Sequence, residues 1–113
     1  MMKTIFVAGP LSRGLAHVNV VNACWAADRL WSIGLAPFVP HLTATSWALV
    51  SPTRPESEWR AWCLAWLTKC DALYRIAGQS SGPDAEVAEA KRLGLPVFLE
   101  DDGLAPIHAW ANK

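Results

Sequence analysis

The sequence predicts an α/β fold in which a small, doubly wound parallel sheet of about four strands carries helices on both faces. Short apolar runs alternate along the chain with longer segments whose apolar residues recur at helical spacing. The apolar runs are continuous rather than alternating, which is typical of parallel strands covered on both faces. Right-handed crossovers then favour the doubly wound, Rossmann-like or flavodoxin-like arrangement. With 113 residues, we expect residues 1–113 to form one domain.

The elements are predicted in the order β-α-β-α-β-α-β. Asn19 is a plausible cap for the first helix, Pro55 immediately precedes the second helix, and Pro83 suits the first turn of the third. Glycines and prolines interrupt the apolar pattern between elements. The predicted strands are residues 3–8, 35–39, 71–76 and 95–99, the helices 20–31, 56–69 and 83–93, and the loops 41–55, 77–82 and a turn-rich tail, 100–113.

Composition excludes several classes of protein. Hydrophobic residues make up 52% of the chain, which is too many for a disordered segment. Ten Lys and Arg balance ten Asp and Glu, so a protein that binds duplex nucleic acid through phosphate attraction is not expected. No run reaches 18 apolar residues and the apolar start is too short for a secretory leader, so we expect no membrane association and a cytoplasmic location. Three cysteines without a C-x-x-C pair are predicted to be reduced and buried: Cys24, Cys63 and Cys70.

In a doubly wound sheet, ligands bind outside the carboxyl ends of the strands, so the loops there are the candidate site. The first of these loops offers Gly9, Ser12 and Arg13, which supply backbone N–H groups, a hydroxyl and a guanidinium near a helix start. These groups suit a phosphate or a sugar, although an ordinary strand-to-helix turn is equally compatible. His41, directly after the second strand, is placed for substrate contact.

Two acidic residues, Asp84 and Glu86, are predicted in the first turn of the third helix. They could simply compensate the helix dipole. Their place at the predicted cleft favours a second interpretation, in which helix N–H groups hold Glu86 ionised as a carboxylate nucleophile. Asp71, at the start of the third strand, could assist that site or serve as a hydrogen-bonding residue at the end of a loop.

The remaining polar and aromatic candidates are histidines and tryptophans. The three histidines, of which His41 is one, lack metal-binding spacing, so neither a metal nor a cofactor is expected. Trp47 lies in the loop over the predicted cleft and is a candidate for stacking on a base. Three further tryptophans share one face of the second helix, where core packing is the simpler interpretation: Trp59, Trp62 and Trp66.

Several of these segments together resemble the nucleoside 2-deoxyribosyltransferase-like superfamily, in its small bacterial and phage branch, over nearly the whole chain. The acidic residue after a glycine-containing loop, the alanine-rich helix and the Gly-Leu-Pro-Val sequence are the most specific part. The resembling segments are residues 8–10, Asn19, Gly34, residues 70–73, 80–90 and 94–98.

The resemblance implies cleavage of an N-glycosidic bond by a glutamate that attacks C1′ and forms a glycosyl-enzyme ester. On this comparison Glu86 matches the nucleophile and Asp71 a supporting aspartate. Ser80 stands where many of the transferases carry a base-contacting aspartate, and Arg13 resembles an arginine of the monophosphate hydrolases. Phe6 stands where the transferases have a tyrosine. Further substrate contacts are expected from the loop and helix start after the third strand: Ser81, Gly82 and Asp84.

The predicted function is therefore hydrolysis or transfer at the N-glycosidic bond of a nucleoside or a nucleoside 5′-monophosphate. The alternatives are a nucleotide-binding module without catalysis on the same fold, and an interaction protein that uses its tryptophans. Seven tryptophans and the resemblance also predict a homodimer built on the second helix, with His108 or Trp110 near a cleft.

Overall fold

The computed structural model describes residues 2–10, 16–78 and 81–113, without the side chains of Ala16 and Ser81. Its strands are β1 (Thr4–Ala8), β2 (Ala36–Phe38), β3 (Ala72–Arg75) and β4 (Val97–Leu99). All neighbouring pairs are parallel, in the order β2-β1-β3-β4. The predicted doubly wound parallel sheet is confirmed, and the two outer strands have only three residues each.

Five α-helices and one short 3-10 turn connect and cover the strands. The helices are α1 (Ala16–Ser32), α2 (Pro40–Trp47), α3 (Glu56–Leu67), α4 (Ser81–Arg92) and α5 (Ala105–Ala111), with the 3-10 turn at Glu100–Asp102. Among the described residues, no helix is long and apolar enough to cross a membrane.

The two faces of the sheet bury different apolar cores. Because side chains alternate along a strand, Ile5 and Val7 of β1 enter the core under α1 and α5, while Phe6 and Ala8 enter the core under α3 and α4. The second core also contains Cys63. Helices α3 and α4 thus cover the same face of the sheet and pack against each other beside the candidate site.

Helices α2 and α5 correct the prediction of a loop and a turn-rich tail. Both are short and have a proline in the first turn, where its missing N–H costs nothing. In α5, Ile107 is fully buried and the Trp110 ring packs on Phe98 with ring centroids 5.6 Å apart. Tertiary contacts of this kind stabilise helices that are too short to form alone, which is why hydrophobic periodicity misses them.

Three smaller predictions are wrong. Asn19 lies within α1 rather than capping it, because the helix already begins at Ala16. Cys24 is exposed on α1, whereas Cys63 and Cys70 are buried as expected. Helix α4 begins two residues before Pro83, whose ring is tolerated there because first-turn N–H groups have no helical partner.

Candidate functional site

The carboxyl ends of β1, β2 and β3 bring together Gly9, His41 and Ile76. Gly9 follows β1 directly and is buried. A Cβ at Gly9 would lie 2.9 Å from Ile76 Cδ1 and 3.4 Å from the His41 ring. A side chain at this position would therefore displace the end of the Ile76 side chain and press on the His41 ring. In the order β2-β1-β3-β4 the connections run in opposite directions on either side of β1 and β3, so these three residues lie at the topological switch point of the sheet.

His41 is the second residue of α2 and is 1% exposed. Its Nε2 lies 2.9 Å from the Pro10 carbonyl oxygen, which can only accept a hydrogen bond, so Nε2 carries the hydrogen. Burial lowers the pKa of His41 and keeps the ring neutral. In the described part of the chain, the buried Nδ1 atom has no hydrogen-bond partner. His41 thus anchors the segment after β1 and leaves one buried acceptor atom unpaired.

Glu86 is buried, with 7% of the residue exposed, and lies in the second turn of α4. The prediction of a first-turn position is wrong, because the helix begins at Ser81. The side chain lies on the side of α4 that faces α3, where the Cys63 thiol and the Arg60 guanidinium are near enough to lower its pKa. Sequence analysis missed both partners, although Arg60 and Cys63 are three residues apart and so neighbours along one side of a helix.

Burial raises the pKa of Glu86 to about 7, and this effect outweighs the Cys63 thiol and Arg60, both of which lower it. The prediction that helix N–H groups hold this carboxyl firmly ionised is therefore wrong. A carboxyl with such a pKa exists in both forms near neutrality. That property is typical of groups that exchange protons or form bonds in reactions.

Asp71 does not line the same cleft, which corrects the prediction. It precedes β3 at the amino edge of the sheet, because Ala72 pairs with Ile5 at the start of β1. Its Oδ2 accepts hydrogen bonds from the Thr4 backbone N–H at 2.8 Å and from the Thr4 hydroxyl at 3.2 Å. Asp71 therefore holds the start of two strands together, and Glu86 lies toward the opposite edge.

Asp84 is in the first turn of α4, as predicted, and its Oδ1 lies 2.7 Å from Nη2 of Arg75. This ion pair belongs to an open groove of about 360 Å³ beside α4. One side of the groove is formed by a single face of α4, with Asp84, Val87 and Lys91. Glu86 lies on a different face of the same helix. Asp84 is thus separated from Glu86 by the body of the helix.

The tryptophans of α3 pack against one another and against neighbouring aromatic rings. Trp62 and Trp66 pack on Phe38 of β2, with ring centroids 5.8 Å and 5.5 Å away. Trp59 meets the ring of Trp47 edge-on at 5.9 Å. Trp47 ends α2 and is 43% exposed, so its expected contact with a base stays a prediction.

Several predicted contacts fall outside the described residues: Ser12, Arg13 and Ser80, together with the side chain of Ser81. Gly82 lies in the first turn of α4, with open space where a Cβ would be. Within the described ranges, no group of three or more His, Cys, Asp or Glu side chains could hold a metal ion.

These features define a doubly wound α/β protein with a buried carboxyl on the helix that follows β3. Its structure is similar to that of a 2-deoxyribosyltransferase from Bacillus psychrosaccharolyticus, with a TM-score of 0.60 and 22% identity, covering 85% of this chain and 70% of the other. A 2-desoxiribosyltransferase from Leishmania mexicana matches with a TM-score of 0.57 and 17% identity, covering 86% of this chain and 63% of the other. The nucleoside 2-deoxyribosyltransferase-like fold is thereby confirmed.

The present chain spans less than two thirds of the length of the Leishmania protein. Comparison with protein-family models finds no match, and comparison with the sequences of curated proteins finds none either.

Proposed function

We propose that the protein cleaves the N-glycosidic bond of a nucleoside or a nucleoside 5′-monophosphate, with Glu86 as the nucleophile. The single observation that carries this proposal is the buried Glu86 carboxyl on α4, in a chain with the fold of the 2-deoxyribosyltransferases. A buried carboxyl is costly for the fold, and a group of this kind with a perturbed pKa is a candidate for chemistry.

The reaction follows the two-step scheme of retaining glycosidases. A Glu86 carboxylate oxygen attacks C1′ of the sugar, the bond from C1′ to the base nitrogen breaks, and the base leaves with the bonding electrons and takes up a proton. Water, or a second base, then attacks C1′ of the glycosyl ester and releases the carboxylate. Hydrolysis and transfer differ only in whether water or a second base attacks C1′ in this second step.

The environment of Glu86 suits both steps. In a site of low polarity a carboxylate is poorly solvated, which makes it a stronger nucleophile than in water. The nearby Arg60 guanidinium favours the ionised form, and burial opposes it. Because only the carboxylate attacks, we expect the rate of base release to rise with pH and to level off above a midpoint of about 7.

Gly9 and His41 support the same site from the neighbouring loops. Gly9 allows Ile76 and His41 to approach its backbone more closely than a side chain would permit, and His41 fixes the Pro10 carbonyl at the point where the chain enters residues 11–15. The unpaired Nδ1 of His41 can accept a hydrogen bond, so we include His41 among the groups that shape the base or sugar pocket.

The charged end of the substrate is assigned from the sequence to Arg13, with Ser12 and the start of α4. A charge-assisted contact contributes about 1.5–3 kcal/mol, which is roughly ten- to hundredfold in binding. Arg13→Ala should weaken binding of a 5′-monophosphate by that factor and leave nucleoside binding nearly unchanged, as isothermal titration would measure. Equal losses for the two ligands would assign Arg13 a structural role.

A panel of nucleosides and 5′-monophosphates, with free base followed by chromatography, tests the function. Glu86→Gln keeps the size of the side chain and removes the nucleophile, so base release should fall at least about a thousandfold. Glu89→Gln is the matched control, since Glu89 is on the same helix and pairs with Arg92 at the surface. Unchanged turnover in Glu86→Gln would overturn the assignment.

A second candidate is a nucleotide-binding module without catalysis. It is favoured by the partial protonation of Glu86 near neutrality, because a protonated carboxyl can donate a hydrogen bond to a base or sugar. Tight binding of one panel member without release of base at any pH up to about 9 would select this function over glycosidic cleavage.

A further inference from the structure

Arg75 is a charged residue to which the proposed reaction gives no role. It ends β3 at the carboxyl edge of the sheet, and only 13% of its side chain is exposed. Its guanidinium donates from Nε and Nη2 to Oδ1 of Asp84, at 3.1 Å and 2.7 Å, and from Nη1 to the Ile76 carbonyl at 2.7 Å. A largely buried guanidinium is costly unless its N–H groups are bonded, and here each of its three nitrogens has a partner.

The two acceptors belong to the two ends of one connection. Ile76 is the first residue after β3, and Asp84 is in the first turn of α4. The connection from β3 to α4 therefore starts and finishes at the same guanidinium. It contains Gly78, whose φ of 129° lies in a region that favours glycine. We call the contacts of Arg75 with Asp84 and Ile76 the Arg75 clamp, which fixes the first turn of α4 against the end of β3.

The start of this connection is held independently of the clamp. The Ile76 N–H donates to the Ala8 carbonyl at the end of β1, at 2.8 Å. The Ala77 N–H donates to Oε1 of Glu100, the residue directly after β4, at 2.9 Å. Because these bonds hold the connection to both neighbouring strands, Arg75 ties the start of α4 to a fixed point of the sheet.

The two ends of α4 are tied to the sheet in different ways. At its carboxyl end, the short segment 93–96 leads directly into β4. At its amino end, within the described ranges, the pair of Arg75 with Asp84 is the one ion pair that joins α4 to the sheet. Glu86 follows Asp84 by two residues in the same helix, so any shift of the first turn moves Glu86 with it, although the two side chains lie on different faces.

We propose that Arg75 and Asp84 are positioning residues, which hold the first turn of α4 against the end of β3 and so set the position of Glu86. The consequence for turnover rests on the proposed function, whereas the geometry of the clamp does not. Asp84 thereby acts through the helix, which is a different role from the substrate contact predicted for it. The fixed, planar arrangement of the guanidinium donors suits this task better than the point charge of a lysine would.

The test compares variants that differ in hydrogen bonding rather than in charge. Asp84→Asn removes the carboxylate charge but keeps an oxygen that can accept from Arg75, whereas Asp84→Ala removes both. Arg75→Lys keeps the positive charge but cannot donate from three separate nitrogens, and it replaces Asp84→Ala if alanine destabilises the fold. Arg92→Gln is the matched control, because it breaks an ion pair with Glu89 that lies within α4.

Glu86 is followed directly, and this measurement does not require turnover. The protein is labelled with carbon-13 at the glutamate side-chain carboxyl, and the Glu86 resonance is identified by its loss in Glu86→Gln. The midpoint of its titration reports how deeply the carboxyl is buried, because burial is the main cause of its raised pKa.

Without the clamp, the first turn of α4 moves and water reaches Glu86, so its midpoint should fall from about 7 toward 4.5. We expect a fall of about half a pH unit or more in Asp84→Ala relative to Asp84→Asn, and in Arg75→Lys relative to the parent. Arg92→Gln should not move the midpoint. With an active substrate, Asp84→Ala and Arg75→Lys should lower kcat more than about tenfold with KM little changed, and Asp84→Asn should retain most of the activity.

Three results would overturn the proposal. The first is an equal midpoint in Asp84→Ala and Asp84→Asn, which would assign any change to the lost charge. The second is an unchanged midpoint in Arg75→Lys. The third is a rise in KM at constant kcat in Asp84→Ala, which would identify Asp84 as a substrate contact.

Failure of the proposed function has a different signature. If no panel member is cleaved while the midpoint still falls in Asp84→Ala and Arg75→Lys, the clamp positions Glu86 in a protein that is not a glycosidase. If cleavage occurs and is lost in Glu86→Gln, but neither the midpoint nor kcat changes in the clamp variants, Glu86 is the nucleophile and the clamp does not position it.

Discussion

At the amino edge of the sheet, the Asp71 carboxylate is exposed and accepts two hydrogen bonds from Thr4. Toward the carboxyl edge, the Glu86 carboxyl is buried, and the groups that lower its pKa are the Cys63 thiol and the partly exposed Arg60 guanidinium. The first group stabilises the pairing of β1 with β3. The second destabilises the fold whenever it is ionised, because its charge is poorly solvated. The comparison separates an exposed carboxylate that stabilises strand pairing from a buried carboxyl whose ionisation opposes folding.

The largest expected effect is on the pH dependence of stability. The folded-state pKa of Glu86 is raised to about 7 from 4.5, so its ionisation destabilises the fold as pH rises through this interval. A shift of that size corresponds to about 3 kcal/mol. Glu86→Gln should therefore be more stable than the parent by about 3 kcal/mol at pH 8, and nearly equal to it at pH 4.

Urea unfolding at both pH values measures this difference, with Glu89→Gln as the control that should show no gain at pH 8. If Glu86→Gln and the parent have the same free energy of unfolding at pH 8, burial does not destabilise the Glu86 carboxylate. The contrast between Glu86 and Asp71 would then be wrong.

A smaller loss is expected where the candidate site is tightly packed. Gly9→Ala places a methyl group 2.9 Å from Ile76 Cδ1, and overpacking of this kind costs about 1–3 kcal/mol. Because the obstructing atom is the end of a flexible side chain, Ile76→Val in the same protein should recover most of the loss. A double-mutant cycle measures the coupling, and additive effects of the two substitutions would contradict the close approach of Ile76 to Gly9.

Gly82→Ala is the matched control for that substitution. Its Cβ would meet open space within α4, so it should leave stability unchanged or raise it by up to about 1 kcal/mol. A loss of stability as large as that of Gly9→Ala would mean that replacing either glycine destabilises the fold, whatever atoms the added methyl group meets.

The smallest effect is expected at the amino edge. Asp71→Ala removes both hydrogen bonds to Thr4 at an exposed position, which should cost about 1 kcal/mol. Base release by the folded variant should stay within about twofold of the parent, because Asp71 is remote from the carboxyl edge. A loss of activity comparable with that of Glu86→Gln would indicate that Asp71 takes part in catalysis.

The strands could be predicted from the sequence because continuous apolar runs identify parallel strands without knowledge of their neighbours. The remoteness of Asp71 was also predictable, since a residue before a parallel strand lies at the edge opposite to one after it. The environment of Glu86 was not, because it depends on where α4 begins and on how Cys63 and Arg60 of α3 pack against it. Local propensity does not determine either of these.

The short outer strands have a consequence for self-association. Sheets join edge to edge when an outer strand presents a long row of unpaired backbone groups, and strands of three residues offer very few. In β2 one of these residues is Pro37, which has no N–H to donate. The sheet edges thus offer little for pairing between copies, whereas α1 presents Trp25 and Trp31 with 61% and 67% of their surface exposed.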